Sequence, residues 1–222
     1  THAIAYQFGN VRGEMAVNLF GIFYSTTFQF ADFGHGPGSG VYTNVYPDIT
    51  PLAYRIEAVD PAAGISIVNG LAMSTAQVDA TNTGPVKFTG CVFIGSDTAV
   101  NNGYITWRQA DLQGSGTVSF ESCTFSGWDN PKVAEAAPQG TACIKSNCKS
   151  LIVTGNEFIA SRTGQPKIEL GANTEEAVIA ANRMRYGVII QNNAPPTADV
   201  QLGLNVGGTG KSNDPAAPEG SR

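Results

Sequence analysis

The chain has 222 residues, of which 14% are charged, and a formal net charge of −5. That length suits one domain with a sizeable core. The acidic balance provides no basic face for nucleic acid, and no apolar run is long enough to span a membrane. With 26 glycines and 12 prolines, the composition favours many turns over long helices.

From the N-terminus, Ile4, Tyr6 and Phe8 nearly alternate, which predicts a strand that already belongs to the interior of a fold. No amphipathic capping helix precedes it. The chain is therefore expected to lack upstream coils or a cap, or to be a mature chain after signal removal, and to associate with a companion segment or with copies of itself. Residues 13–33 are the most aromatic stretch. Phe20, Ile22 and Tyr24 alternate, as do Phe28 and Phe30, so two strands are expected, either plain core or an aromatic platform for sugar stacking.

Residues 34–51 are rich in Gly and Pro and predict a loop. Its Gly-x-Gly run is followed by neither a P-loop Lys nor a helix signal, so it is not a phosphate cradle. His35 stands near Asp32 and offers either a general base or an exposed loop pair. Tyr42 and Tyr46 share this loop and could stack on a sugar or on a neighbouring subunit. Tyr54–Val59 alternates as a strand, and Asp60–Gly64 reads as a turn.

From residue 64 one phrase recurs. Ile65–Ser74, Val86–Gly95, Val118–Gly127, Leu151–Ala160 and Ala177–Tyr186 align on their sixth residue: Gly70, Cys91, Cys123, Asn156 and Asn182. The intervals of 21, 32, 33 and 26 residues are unequal, so the phrase is conserved in length while its connections vary. Positions one, three and eight are apolar around a small bend pair, which reads as strand, tight bend, strand. A further strand is expected after the last four copies, at Tyr104–Trp107, Ala142–Lys145, Lys167–Leu170 and Gly187–Ile190. Such a unit cannot bury its own apolar face, but stacked copies can, which predicts an all-β solenoid of parallel sheets. Phe93, Phe125 and Phe158 would form one internal ladder, Ile105, Ile144, Ile168 and Ile189 another, and Asn156 would sit over Asn182. A β-sandwich with chance strand similarities is the alternative.

These V-x-F-x-G-C/N-x-F-x-G units resemble the right-handed parallel β-helix of the pectate lyase superfamily. In particular they are similar to pectate-lyase-like and glycoside-hydrolase-28-like secreted proteins, over about residues 64–193. The resemblance implies a β-helix over 1–207; after Gly207 the chain is Gly, Ser, Pro, Ala and charge without periodicity, which predicts a flexible tail over 208–222. It implies a secreted or cell-surface protein acting on or binding a polysaccharide in a groove along the solenoid, as a glycoside hydrolase or polysaccharide lyase. The paired-Asp motifs of polygalacturonases are absent. A non-catalytic glycan-binding, adhesin or phage-tail module, expected to form a homo-oligomer such as a trimer, is the other reading.

The candidate site residues follow from alternation along the strands. Aligning the second strands on their isoleucines gives outward columns Thr106, Lys145, Glu169, Ile190 and Tyr104, Cys143, Lys167, Val188. Lys145 and Glu169 would stand on adjacent coils, and Glu157 and Arg183 likewise on the first strands. Glu157 or Glu169 would serve as acid/base while Lys145, Lys167 or Arg183 holds the sugar, or all are solvated ion pairs. Trp128 and Asp129, in the long connection 127–140, offer a flat ring and a hydroxyl acceptor that would overhang the groove, or are structural. The four cysteines lack the spacing and histidines of a zinc site, so neither metal nor cofactor is expected. Cys91 and Cys123 should stack as free thiols, and Cys143 and Cys148 flank a bend where they could pair.

Overall fold

The computed structural model describes residues 3–95, 108–129 and 138–208. It is an all-β parallel β-helix, with every strand pair parallel. Sheet A stacks Ile4–Phe8, Thr26–Phe30, Leu52–Ile56, Thr75–Val78, Ala110–Leu112, Ile144–Ser146, Ile168–Leu170 and Ile190–Asn192. Sheet B stacks Glu14–Val17, Gly40–Thr43, Ile65–Val68, Val86–Thr89, Thr117–Glu121, Ser150–Thr154, Glu176–Ala180 and Asp199–Gly203. Sheet C holds Leu71–Ala72, Val92–Ile94, Thr124–Ser126, Glu157–Ile159 and Arg183–Met184, and sheet D pairs Phe20–Ile22 with Tyr46–Asp48. Each coil runs from A to B to C or D and back. Among the described residues no helix is long and apolar enough to cross a membrane.

The five bend residues align as the repeat predicts. Val92 N–H donates to Gly70 O, Thr124 N–H to Cys91 O, Glu157 N–H to Cys123 O and Arg183 N–H to Asn156 O. The residue before each of them has positive φ: Asn69, Gly90, Ser122, Gly155 and Ala181. That left-handed step lets two strands meet at a corner with no longer loop between them.

Inside, Phe93, Phe125 and Phe158 stack with ring centroids 5.0 and 4.9 Å apart. Phe88 and Phe120 form a parallel stack at 4.9 Å on sheet B. Phe93 meets Phe120 edge-on at 5.8 Å, so the two stacks lock across the corner. At the bend, Asn156 Nδ2 donates to Asn182 Oδ1 at 3.0 Å, and Asn182 Nδ2 donates to Asn205 Oδ1 at 2.9 Å. The expected Asn pair is thus a three-rung ladder. It also satisfies buried backbone donors, with Cys123 N–H on Asn156 Oδ1 and Asn156 N–H on Asn182 Oδ1.

Several expectations need correction. Residues 13–33 hold three strands, with a short one at Phe20–Ile22. Residues 34–51 are no simple loop, because Gly40–Thr43 and Tyr46–Asp48 continue sheets B and D. Tyr42 is buried between Phe8 and Phe30, so it is core and presents no stacking surface. In the last full coil Ile190, not Ile189, pairs with Ile168, because Tyr186 and Gly187 both take positive φ and lengthen the turn by a residue. The strand expected at Tyr104–Trp107 lies outside the described residues, and Ala110, not Ile105, fills that rung of sheet A. All four cysteines are free and buried, so Cys143 and Cys148 do not pair. The tail from 209 lies outside the described residues.

Two predictions follow from the packing. Phe125→Ala leaves a gap between two stacked rings and should lower unfolding free energy by about 3–5 kcal/mol. Urea melts would show it, and a loss below about 1 kcal/mol would contradict the ladder. Ala181 is exposed at φ 58°, so Ala181→Gly removes left-handed strain and should raise the urea midpoint, a gain of about 0.5–1 kcal/mol. An unchanged or lower midpoint would contradict the strain.

Candidate functional site

Sheet A repeats a short pattern in which one polar residue stands between two inward ones. Tyr6-Gln7-Phe8, Phe28-Gln29-Phe30, Tyr54-Arg55-Ile56, Ala76-Gln77-Val78 and Ala110-Asp111-Leu112 lead into Ile144-Lys145-Ser146, Ile168-Glu169-Leu170 and Ile190-Gln191-Asn192. The flanking residues point inward and all but Asn192 of the last coil are at least partly buried, so the middle ones face out in a single register. The outer column therefore reads Gln7, Gln29, Arg55, Gln77, Asp111, Lys145, Glu169, Gln191, with a polar group on every coil.

Over the first coils the column is knitted side chain to side chain. Gln7 Nε2 donates to Gln29 Oε1 at 2.7 Å, and Gln29 Nε2 donates to Glu57 Oε1 at 2.6 Å. Arg55 lies 3.1 Å from Glu57 and 3.7 Å from Asp79, and Gln77 Nε2 donates to Asp79 Oδ1 at 2.6 Å. Further along, Arg108 reaches over the Lys145 coil to Glu169 at 3.8 Å.

Where sheet A strands exit toward sheet B, a trough of about 600 Å³ runs beside the column. Its lining includes Gln113, Asn147, Asn173, Thr174 and Thr197, with Lys149 and Glu175 on one wall. The two charges neutralise each other in an ion pair of 2.7 Å. Asn147 Oδ1 accepts from Asn173 N–H at 3.0 Å. Thr174 is buried in this lining, and its hydroxyl has no partner. Amides and hydroxyls at an open trough are donors and acceptors of the kind that pair with sugar hydroxyls.

The sequence-predicted candidates are scattered. Lys145 and Glu169 are register neighbours on the outer column, as expected. Glu157 and Arg183 are also neighbours, and they are ion-paired, but on sheet C. Glu157 and Glu169 therefore stand on different sheets and cannot serve one bond as an acid/base pair. Lys167 and Cys143, expected outward, are buried. Both precede their strands at a bend, where strict alternation does not hold. Lys167 Nζ donates to Gln165 O at 2.9 Å. Burial lowers its pKa, opposed by the nearby charge of Asp129. Burial, then the charge of Asp129, pushes the Cys143 thiol up.

Trp128 and Asp129 do not overhang a groove, because both are buried. The Asp129 carboxylate accepts from Ser161 N–H at 2.8 Å and Arg162 N–H at 2.8 Å on the next coil, so it anchors a connection. Asp32 Oδ1 accepts the backbone N–H of Gly34, His35 and Gly36 at 2.8, 3.1 and 2.9 Å. These bonds, the one from Gly36 foremost, hold its carboxyl below the ordinary aspartate value. Asp32 thus shapes an exposed turn and meets His35 through the backbone. Among the described residues no three His, Cys, Asp or Glu side chains converge as a metal site.

The residues that sequence reasoning missed are Gln7, Gln29, Arg55, Gln77, Asp111 and Gln191, the last because Ile190 was expected at its place. The signal was present as the inward-polar-inward triplet, at varying distance from the more obvious phrase. No family model matches this chain, no curated protein matches it, and no solved structure matches it.

The Asp32 turn sets a pH test. Its carboxyl is depressed, so its three hydrogen bonds persist as pH falls to the ordinary 3.8 and are released only below it. The Gly34 and Gly36 amide proton shifts should titrate with a midpoint under 3.8 in NMR spectra. A midpoint at or above that value would remove the structural role of this carboxylate.

Proposed function

We propose that this chain is a polysaccharide-binding β-helix module whose ligand lies along the outer face of sheet A and its adjoining trough. The observation that carries this reading is the unbroken column of eight polar side chains in one register. Successive coils lie about 4.8 Å apart. An extended glycan can therefore meet a new amide, carboxylate or cation on most coils, Gln29 being covered, and many modest hydrogen bonds sum along its length. Such a ligand fits a secreted or cell-surface protein. The likeness of its repeat to pectate-lyase-like proteins supports the same ligand class.

Binding is favoured over cleavage because each carboxylate singled out for acid/base work is engaged elsewhere. Glu157 faces Arg183, Glu169 faces Arg108, Asp129 is buried against backbone amides, and Asp32 closes a turn.

Isothermal titration against a panel of neutral and acidic polysaccharides tests the reading, with reducing ends or unsaturated products followed in parallel. Gln77→Ala and Lys145→Ala should each weaken binding about fivefold, near the worth of one hydrogen bond. Glu157→Gln on sheet C should leave it unchanged. Absence of binding across the panel, or equal loss from the sheet C variant, overturns the proposal. Cleavage abolished by Glu169→Gln would replace the binder with a glycoside hydrolase or lyase.

A further inference from the structure

The turns that carry sheet A into sheet B change length along the stack. They span 57–64 and 79–85 in the third and fourth coils, 113–116 and 147–149 in the next two, then 171–175 and 193–198. The two short turns lie low between longer ones, and the trough of about 600 Å³ is the saddle they leave. Ala80 belongs to one wall, Asn173 and Pro195 to the other, and Gln113 and Asn147 to the floor. The walls on the fourth and seventh coils stand three strand spacings apart, about 14 Å. A saddle walled along the stack is open across it, so it meets the sheet A column at a right angle, beside Asp111 and Lys145 of the same two coils. Its volume is that of a small-ligand site.

The chemistry of the saddle is that of neutral amides. Among the described residues the side chains of Gln113 and Asn173 have no hydrogen-bond partner. Asn147 is held in place. Its Oδ1 accepts from Asn173 N–H at 3.0 Å, and its carboxamide takes the space over Gly171, where a Cβ would come within 2.5 Å of that oxygen. Lys149 and Glu175 are the two charges of the lining, and they cancel in their ion pair. The sheet A column is balanced as well, with Arg55 and Lys145 against Asp111 and Glu169. A polyanion such as a uronan finds no excess of cations on either surface, whereas neutral hydroxyls find donors and acceptors on both.

Resting on the polysaccharide reading above, we propose that the ligand is a neutral, branched polysaccharide. Its main chain follows the sheet A column, and a branch of one or two sugar units turns into the saddle against Gln113, Asn147 and Asn173. A linear chain that keeps to the column passes the mouth of the saddle without filling it, so occupying both surfaces takes a branch. Gly171 is a positioning residue, because it leaves room for the Asn147 carboxamide.

Isothermal titration of the full chain with matched oligosaccharides tests this. The probes are linear mannan and glucan hexasaccharides, the same backbones carrying single galactose or xylose branches, and polygalacturonate. The branched member of a pair should bind about tenfold more tightly than its linear partner. Its affinity should change less than about twofold between about 50 and 500 mM NaCl. Gln113→Ala and Asn173→Ala should each weaken the branched ligand about fivefold and leave the linear one unchanged. Gly171→Ala should do the same by displacing Asn147. Gln113 and Asn173 are exposed, so their variants should melt at the parent temperature. Gln77→Ala on the column should weaken both ligands alike. Tighter binding of polygalacturonate, equal affinity within every pair, or saddle variants without effect overturns the branched ligand. If Gln77→Ala still weakens binding in that case, the sheet A reading stands without it. Loss confined to the saddle variants overturns the path along sheet A and keeps the saddle. Absence of binding to every probe overturns both.

Discussion

Each coil of this β-helix depends on one left-handed residue where sheet B gives way to the next sheet. The same conformation recurs at Asn18, Asn44, Asn69, Gly90, Ser122, Gly155, Ala181 and Leu204, with φ between 52° and 69°. Asn and Gly tolerate it, whereas Ser, Ala and Leu adopt it at a cost of about 1–2 kcal/mol each. Those three persist there because neighbouring coils over-determine the corner. The following residue points inward and is held by the coil after it, through a carbonyl at Gly70 and Cys91 and through side-chain amides at Asn156 and Asn182.

The corner in turn decides what the core can be. It brings the ring stack of sheet B edge-on to the ring stack of sheet C, so neither slides without disturbing the other. Toward the C-terminal coils the bend column changes chemistry from Cys91 and Cys123 to Asn156, Asn182 and Asn205. The thiols give weak bonds, Sγ to carbonyl at 3.4 Å, and their own hydrogen bond, with burial, pushes Cys123 above the ordinary thiol range. The amides give short directional ones. The ladder is therefore soft in the middle coils and stiff toward the last.

Much of this was legible in the sequence because the phrase around the corner has fixed length. Its five copies give sheets B and C in the right register, including the Phe93, Phe125 and Phe158 stack. Sheet A was misread where the return connection varies, since strand register there depends on turn residues such as Tyr186 and Gly187 that alternation does not encode. The buried placement of Trp128, Asp129 and Lys167 was not legible at all. Asp129 is fixed by amides more than thirty residues away, and no local pattern reports such a contact. The outer column of sheet A was legible in principle, since each polar residue from Gln7 to Glu169 is bracketed by two inward-facing residues.

The unequal coils give the molecule a mechanical identity. Coils touch only their neighbours, so a pull on the C-terminal end would strip them one at a time. The rungs linking Cys123 to Asn156, Asn156 to Asn182 and Asn182 to Asn205 span 33, 26 and 23 residues. At about 3.5 Å of extended chain per residue, each coil releases a different length when it gives way. The force trace of a single molecule would then be an ordered record, in which step size tells which coil has just left the stack.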